Sequence, residues 1–274
     1  MRSSSARAHH PSDDLPAIHV PADPNGLAVR DDTLYVADGA TGAVLAIDHG
    51  RTRRIATIDA AGVVAGDRLG GIAVTPDGTL YVARLGHGHA GAVLRIAGGV
   101  VRELARLSPQ AWRLGVSYDA AEHALYVTQY LKAASGPCDG SILRIELATG
   151  AVRTVVGGLV KPVGVAKLGS TLVISDARLR AVLRAELAGG PTAACVPLVS
   201  TPDRPDAVAA CGGDSIVLTS YDPDTQIGRV QQLWLDGRVR TLAQGAWQPR
   251  GVASDGARAF VSVRSGGRVL VIPL

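Results

Sequence analysis

Six copies of one pattern run through this 274-residue chain and decide its architecture before any single residue is considered. Each copy has a small or apolar turn, then [GA]-[ILV]-[AS]-x, a polar turn, a second apolar run, a loop and a third run. The copies begin PNGLAVRDDTLYVAD at Pro24, LGGIAVTPDGTLYVAR at Leu69, RLGVSYDAAEHALYVTQ at Arg113, PVGVAKLGSTLVISD at Pro162, PDAVAACGGDSIVLTS at Pro205 and PRGVASDGARAFVSV at Pro249. Their anchors are Gly26, Gly71, Gly115, Gly164, Ala207 and Gly251, spaced 45, 44, 49, 43 and 44 residues apart. A period of this length, with about four short strands per copy, is a propeller blade. The units carry Val, Ile, Leu and Tyr in short runs broken by Asp-Gly, Gly-Gly and Pro-Asp turns, and no long apolar face at helical spacing occurs. The expectation is an all-β, six-bladed β-propeller of four-stranded antiparallel blades.

The ends fit that scheme. Copy six reaches Leu274 after three strands, and Ala17-Ile18-His19-Val20 is a short strand with no partner in its own blade. Pairing it into the last blade closes the ring and hides both sheet edges. Residues 1–14 are then a flexible tail, and 15–274 form one domain. The anchor glycine has a reason too: inner strands converge on the axis, where a side chain costs space.

Composition removes several classes of function. Hydrophobic residues make up 47% of the chain, yet no run of about 18 apolar residues occurs, which argues against a membrane span. The net charge of +4 is spread among interspersed acids and bases rather than gathered in a basic stripe, which argues against nucleic-acid binding. MRSSSARAHHPSDD lacks the apolar core of a secretory signal, and Cys138, Cys195 and Cys211 have no CxxC spacing. A cytoplasmic monomer with reduced thiols is expected.

In a propeller, the loops leading into inner strands and those leaving second strands share one mouth, where ligands bind. The first kind supplies Asn25, Gly70, Trp112 with Arg113, Lys161 with Val163, Arg204 with Asp206, and Trp247 with Gln248 and Arg250. The second supplies Asp38, Arg84, Gln129 with Tyr130, Asp176 with Arg178, Tyr221 with Asp222, and Arg264. Arg84, Arg113, Arg204, Arg250, Arg264 and Lys161 give a basic mouth beside the rings of Trp112 and Trp247. Guanidinium planes next to aromatic rings suit a carboxylate, phosphate or enolate on a flat organic ligand. Among the acids, Asp38, Asp176 or Asp206 is the candidate general base.

Other motifs carry less. Gly86-His87-Gly88-His89-Ala90-Gly91 fits G-x-G-x-x-G, but a strand follows it rather than a helix, so the dinucleotide reading fails. The blade-three insertion, residues 130–140, could form a lid containing Cys138, with no base identifiable beside that thiol. Tyr221-Asp222-Pro223-Asp224-Thr225-Gln226 is half of a calcium loop without its closing Glu and reads as a Pro-Asp turn. His49 and His123 fall in far-rim turns.

The blade text P-x-G-[IL]-A-V…D-G-x-L-Y-V-A-[DR]…G-x-V-L-x-I resembles the NHL-repeat group and its neighbours, the SMP-30/gluconolactonase/strictosidine-synthase-like propellers and the streptogramin B lyases. The resemblance covers essentially the whole chain, Ala17 to Leu274, and implies the fold more than an activity. Likeness to the lactonases implies that Asn25, in Pro24-Asn25-Gly26, ligates a divalent cation in the central channel, with Asp206 as a second ligand. Where their next blade carries Pro-Asp-Gly, this chain has Leu69-Gly70-Gly71, and their N-terminal Glu ligand has no evident counterpart. Two oxygens fall short of the six or so that a hard cation takes, so no metal cofactor is expected, and Asn25 and Asp206 would serve only if a cation is present. Likeness to the lyases implies acid–base histidines in central loops, a place that only His87 and His89 occupy.

The sequence therefore points to an enzyme, a hydrolase or lyase, acting on an anionic or electron-rich small molecule at an arginine-rich mouth. The alternative is a non-catalytic NHL-type propeller that engages a protein or RNA through the same basic face. A deep axial pocket favours the first and a flat basic disc the second.

Overall fold

The computed structural model describes residues 15–58, 69–104, 107–132, 139–187, 192–201, 203–264 and 266–274. Blade one shows the plan: β2 (Pro24–Arg30) lies innermost, followed outward by β3 (Thr33–Asp38), β4 (Ala43–Asp48) and β5 (Arg51–Thr57), all antiparallel. Five more sheets repeat it, giving a six-bladed β-propeller. Their inner strands are β6 (Leu69–Val74), β10 (Trp112–Asp119), β14 (Pro162–Leu168), β18 (Arg204–Ala210) and β22 (Pro249–Ser254). Each inner strand contacts the next, and β22 returns to β2.

Ring closure follows the expected scheme. Strand β1 (Ala17–His19) pairs antiparallel with β24 (Arg268–Pro273), Ala17 opposite Leu270, as the outermost strand of blade six. The main-chain N–H of Val20 extends the contact to the carbonyl of Gly267 at 2.7 Å. The expected tail, residues 1–14, lies outside the described residues.

Blade-to-blade packing holds the core. Apolar clusters span neighbouring sheets; in one, Val44 and Ala56 of blade one pack with Ile72, Val82 and Leu94 of blade two. The anchor residues explain how closely the inner strands approach. A Cβ on Gly251 would lie 2.0 Å from the carbonyl oxygen of Asn25, and one on Gly26 2.1 Å from that of Gly70. The neighbouring inner strand itself occupies that space.

Every inner strand also breaks register with its partner around its anchor. The pairings jump between Pro24 and Leu27, Leu69 and Ile72, Arg113 and Val116, Pro162 and Gly164, Pro205 and Val208, and Pro249 and Val252. Such a bulge frees one residue from the ladder and re-aims it. It does so six times at the same height, immediately beside the axis.

Candidate functional site

The six re-aimed residues are those just before the anchors: Asn25, Gly70, Leu114, Val163, Asp206 and Arg250. All six line a cavity of about 280 Å³ on the propeller axis, near the lower end of ligand-pocket volumes, about 300–1,000 Å³. The cavity continues down the inner strands past Ile72, Val116, Val165, Val208 and Val252, and reaches Tyr118 and Ser254 toward the far rim. Its ring of six is divided. Asp206, Arg250 and Asn25 stand on consecutive blades five, six and one, whereas Gly70, Leu114 and Val163 make the opposite arc apolar.

A repeated hydroxyl fixes the polar arc. Ser262 Oγ, on β23 (Arg258–Val263), accepts from the N–H of Gly251 at 2.8 Å and donates to the carbonyl of Asn25 at 2.7 Å. Thr219 Oγ1 does the same between the N–H of Ala207, at 3.0 Å, and the carbonyl of Arg250, at 2.8 Å. Ser175 Oγ accepts from Gly164 N–H at 2.8 Å and donates to the carbonyl of Asp206. Thr128 Oγ1 repeats it more weakly, from Gly115 N–H at 2.8 Å to the carbonyl of Val163 at 3.5 Å. All four side chains are fully buried. Each second-strand hydroxyl thus ties its own anchor to the ring residue of the following blade. Blades one and two carry Ala37 and Ala83 at this position, and between these two blades Asn25 Nδ2 donates to the carbonyl of Leu69 at 2.6 Å. These hydroxyls were not foreseen; their signal is a Ser or Thr one residue before Gln129 and Asp176 and two before Tyr221 and Arg264.

Several expected mouth residues have other work. Asp38 and Asp176 are buried and satisfied by main-chain donors. Asp176 accepts from the N–H groups of Val160 (2.8 Å), Lys161 (3.0 Å), Arg178 (3.0 Å) and Leu179 (3.1 Å). Asp38 accepts from the N–H groups of Asp23 (3.1 Å) and Ala40 (2.9 Å), and from Thr41 Oγ1. Neither lines the cavity, so both are corrected from candidate bases to turn-forming residues. Arg84 is also buried: its Nε donates to Ala90 O at 2.6 Å and its Nη2 pairs with Glu103 at 2.5 Å. Arg113 is fully buried, with Nη1 donating to Ser108 O at 2.8 Å and Nη2 to Gln129 Oε1 at 3.2 Å. Burial holds its pKa down to about 10. Leu114, not Arg113, holds the ring position of blade three.

The rest of the mouth set is spread out. Gln129 is engaged by Arg113 and donates to Ser141 Oγ at 3.2 Å. Trp247 is buried against Gly228. Arg178, Arg204 and Arg264 are exposed and Tyr221 is half-buried, all outside the cavity lining. Asp222 caps its turn, accepting from Asp224 N–H at 3.0 Å and Thr225 Oγ1 at 2.6 Å, so the Pro-Asp turn reading holds. Trp112 and Tyr130 stack on one another at the rim, centroids 5.8 Å apart. Blade five hides a carboxylate not foreseen: buried Asp203 accepts from Ser220 Oγ at 3.0 Å and pairs with Arg229 at 2.5 Å. Cys138 lies outside the described residues.

Asp206, Arg250 and Asn25 stand on consecutive blades, and the Asn25 amide directs Nδ2 to Leu69 O at 2.6 Å, leaving Oδ1 as its remaining polar atom. Among the described residues no three His, Cys, Asp or Glu side chains gather in a metal-binding group. No helix among them is long and apolar enough to cross a membrane.

No protein family matches the chain by sequence, and no curated protein does either. Solved structures match it by fold. A catalytically inactive virginiamycin B lyase from Staphylococcus aureus, with quinupristin, is 13% identical, covering 95% of this chain and 99% of that one with a TM-score of 0.64. A luciferin-regenerating enzyme is 14% identical, covering 95% of each chain with a TM-score of 0.69. Regucalcin, a calcium-binding protein from Agrobacterium tumefaciens, is 15% identical, covering 93% and 92% with a TM-score of 0.67. These likenesses fall within the group of propellers that the blade text resembles.

Proposed function

We propose that the chain is an enzyme, a hydrolase or lyase, that takes a small organic molecule bearing a carboxylate or carbonyl group into the axial cavity. The observation that carries this reading is the axial cavity, whose ring sets one carboxylate and one guanidinium on adjacent blades with an apolar arc opposite them. Asp206 is the general base, removing a proton from the substrate or from an attacking water. Arg250 stabilises the negative oxygen that develops, in surroundings where a fixed positive charge acts more strongly than in water. Asn25, with Nδ2 donated to Leu69 O, has Oδ1 left to accept from a substrate hydroxyl or a water. Of the six basic residues assigned to the mouth, Arg250 lines the cavity while Arg84 and Arg113 are buried in bonds of their own, which favours the cavity over a flat basic face as the site.

The test is a panel of lactones, esters and hydroxy acids screened for turnover with the wild type, Asp206→Asn and Arg250→Gln. Turnover lost by at least about a hundredfold in Asp206→Asn, with the melting midpoint held, supports the assignment. Activity that survives Asp206→Asn, or no turnover of any member alongside tight protein or RNA capture at this face, would sink it.

A further inference from the structure

Two buried aliphatic side chains, Leu85 and Val163, stand apart from the core. Among the described residues, every other buried Val, Leu or Ile packs in one of six apolar clusters, one between each pair of neighbouring blades. Leu85 and Val163 belong to none of them, and neither does half-buried Leu114. All three instead line the axial cavity. Leu85 follows β7 (Leu80–Arg84) on blade two, where the ring residue, Gly70, has no side chain. Leu114 and Val163 are the ring residues of blades three and four. In a closed ring of six, blades two, three and four lie across the axis from blades five, six and one. Leu85 therefore stands on the blade opposite Asp206, Leu114 opposite Arg250 and Val163 opposite Asn25. Apolar surface turned away from the core is unfavourable until another apolar group covers it.

We propose that Leu85, Leu114 and Val163 form a subsite for the saturated carbon chain of an aliphatic substrate whose carboxylate or carbonyl end lies at Arg250. The carbonyl end rests on the function proposed above; the chain end rests on the apolar wall alone. A polar head on blade six directs the rest of such a molecule across the axis, onto Leu114. The cavity also limits its size. At about 30 Å³ for each water-sized group, a volume of about 280 Å³ takes roughly nine non-hydrogen atoms, which is a straight-chain acid of about seven carbons. Each methylene laid against the wall tightens binding by about threefold to fourfold, whereas a chain carrying a hydroxyl on every carbon gains nothing there.

The full chain is titrated calorimetrically with butyrate, hexanoate, decanoate and hexan-1-ol. Hexanoate is expected to bind about tenfold more tightly than butyrate, and the four further methylenes of decanoate to add less than about tenfold in all. Leu114→Asn and Val163→Thr each bring the hexanoate-to-butyrate ratio toward one, whereas Arg250→Gln weakens both acids and spares the ratio. If Leu114→Asn does not fold, the Val163→Thr result decides. Equal affinities for butyrate and hexanoate in the wild type, or a ratio that survives both wall variants, overturn the aliphatic subsite and leave the anion reading standing. Affinity that keeps rising at the same rate to decanoate overturns the size limit. Hexan-1-ol bound as tightly as hexanoate, and weakened by Leu114→Asn, keeps the subsite and overturns the anion reading. Binding by none of the four overturns both.

Discussion

Asp176 and Asp206 are the same residue type on neighbouring blades, and their surroundings give them opposite tasks. Asp176 is fully buried and accepts four main-chain N–H bonds, so its charge is consumed in shaping the turn. Asp206 is half-buried and lines the cavity. Removing an acceptor strands its donors, and hydrogen bonds to a charged group are worth roughly 1.5–3 kcal/mol each. Asp176→Ala should therefore lower the unfolding free energy by about 3 kcal/mol or more, read from urea denaturation. Asp206→Asn should shift the same curve by less than about 1 kcal/mol. Similar losses for the two would mean that Asp206 is also structural. By strand position the sequence assigned both carboxylates to the mouth, and only Asp206 lines the cavity. The sequence was silent on depth, because side-chain partners come from loops about fifteen residues away.

At the scale of strands, the buried hydroxyls of Thr128, Ser175, Thr219 and Ser262 join blades three, four, five and six each to the next. Ser262→Ala leaves the N–H of Gly251 and the carbonyl of Asn25 without that partner, at a cost of roughly 1–3 kcal/mol. Ser262→Thr should restore most of it, since Thr128 and Thr219 hold the same place. Stability of the alanine variant equal to wild type would show that the strands relax to satisfy themselves without the hydroxyl. The anchor glycines were legible as a recurring letter. The hydroxyls were not, because a Ser or Thr in a strand is unremarkable until the neighbouring inner strand is in place.

Around the whole ring, stability depends on closure and on locks at the far rim. A chain beginning at Pro21 lacks β1 and leaves the edge of β24 unpaired, which should lower the melting midpoint by on the order of 10 °C relative to one beginning at Leu15. Equal midpoints would overturn the closure scheme. Blades three and four are locked by Lys167, which pairs with Asp119 at 2.5 Å and Glu122 at 3.1 Å, while Arg144 meets Glu122 at 2.8 Å. Burial raises the Glu122 pKa, but hydrogen bonds from Arg144, Tyr126 and Lys167 outweigh it and hold the carboxyl down to about 2, against an ordinary 4.5. A depressed folded-state value stabilises the fold above the unfolded pKa, and that contribution fades as pH falls from about 4.5 through about 2. Glu122→Gln should melt lower at neutral pH and lose less on acidification across that window. Parallel acid limbs would contradict the assignment.

The repeat alone determined the number of blades, the strand order and the closure by Ala17–His19, because a period of about 44 residues with alternating turns leaves few other ways to bury so many short apolar runs. It also placed Asn25, Asp206 and Arg250 on the axis, since the residue before each anchor has a fixed place in the blade. Which of the other polar residues face the cavity was decided only in three dimensions. A bulge of one residue puts Leu114 on the axis and Arg113 behind it, and that single step separates a ligand-facing guanidinium from a buried one.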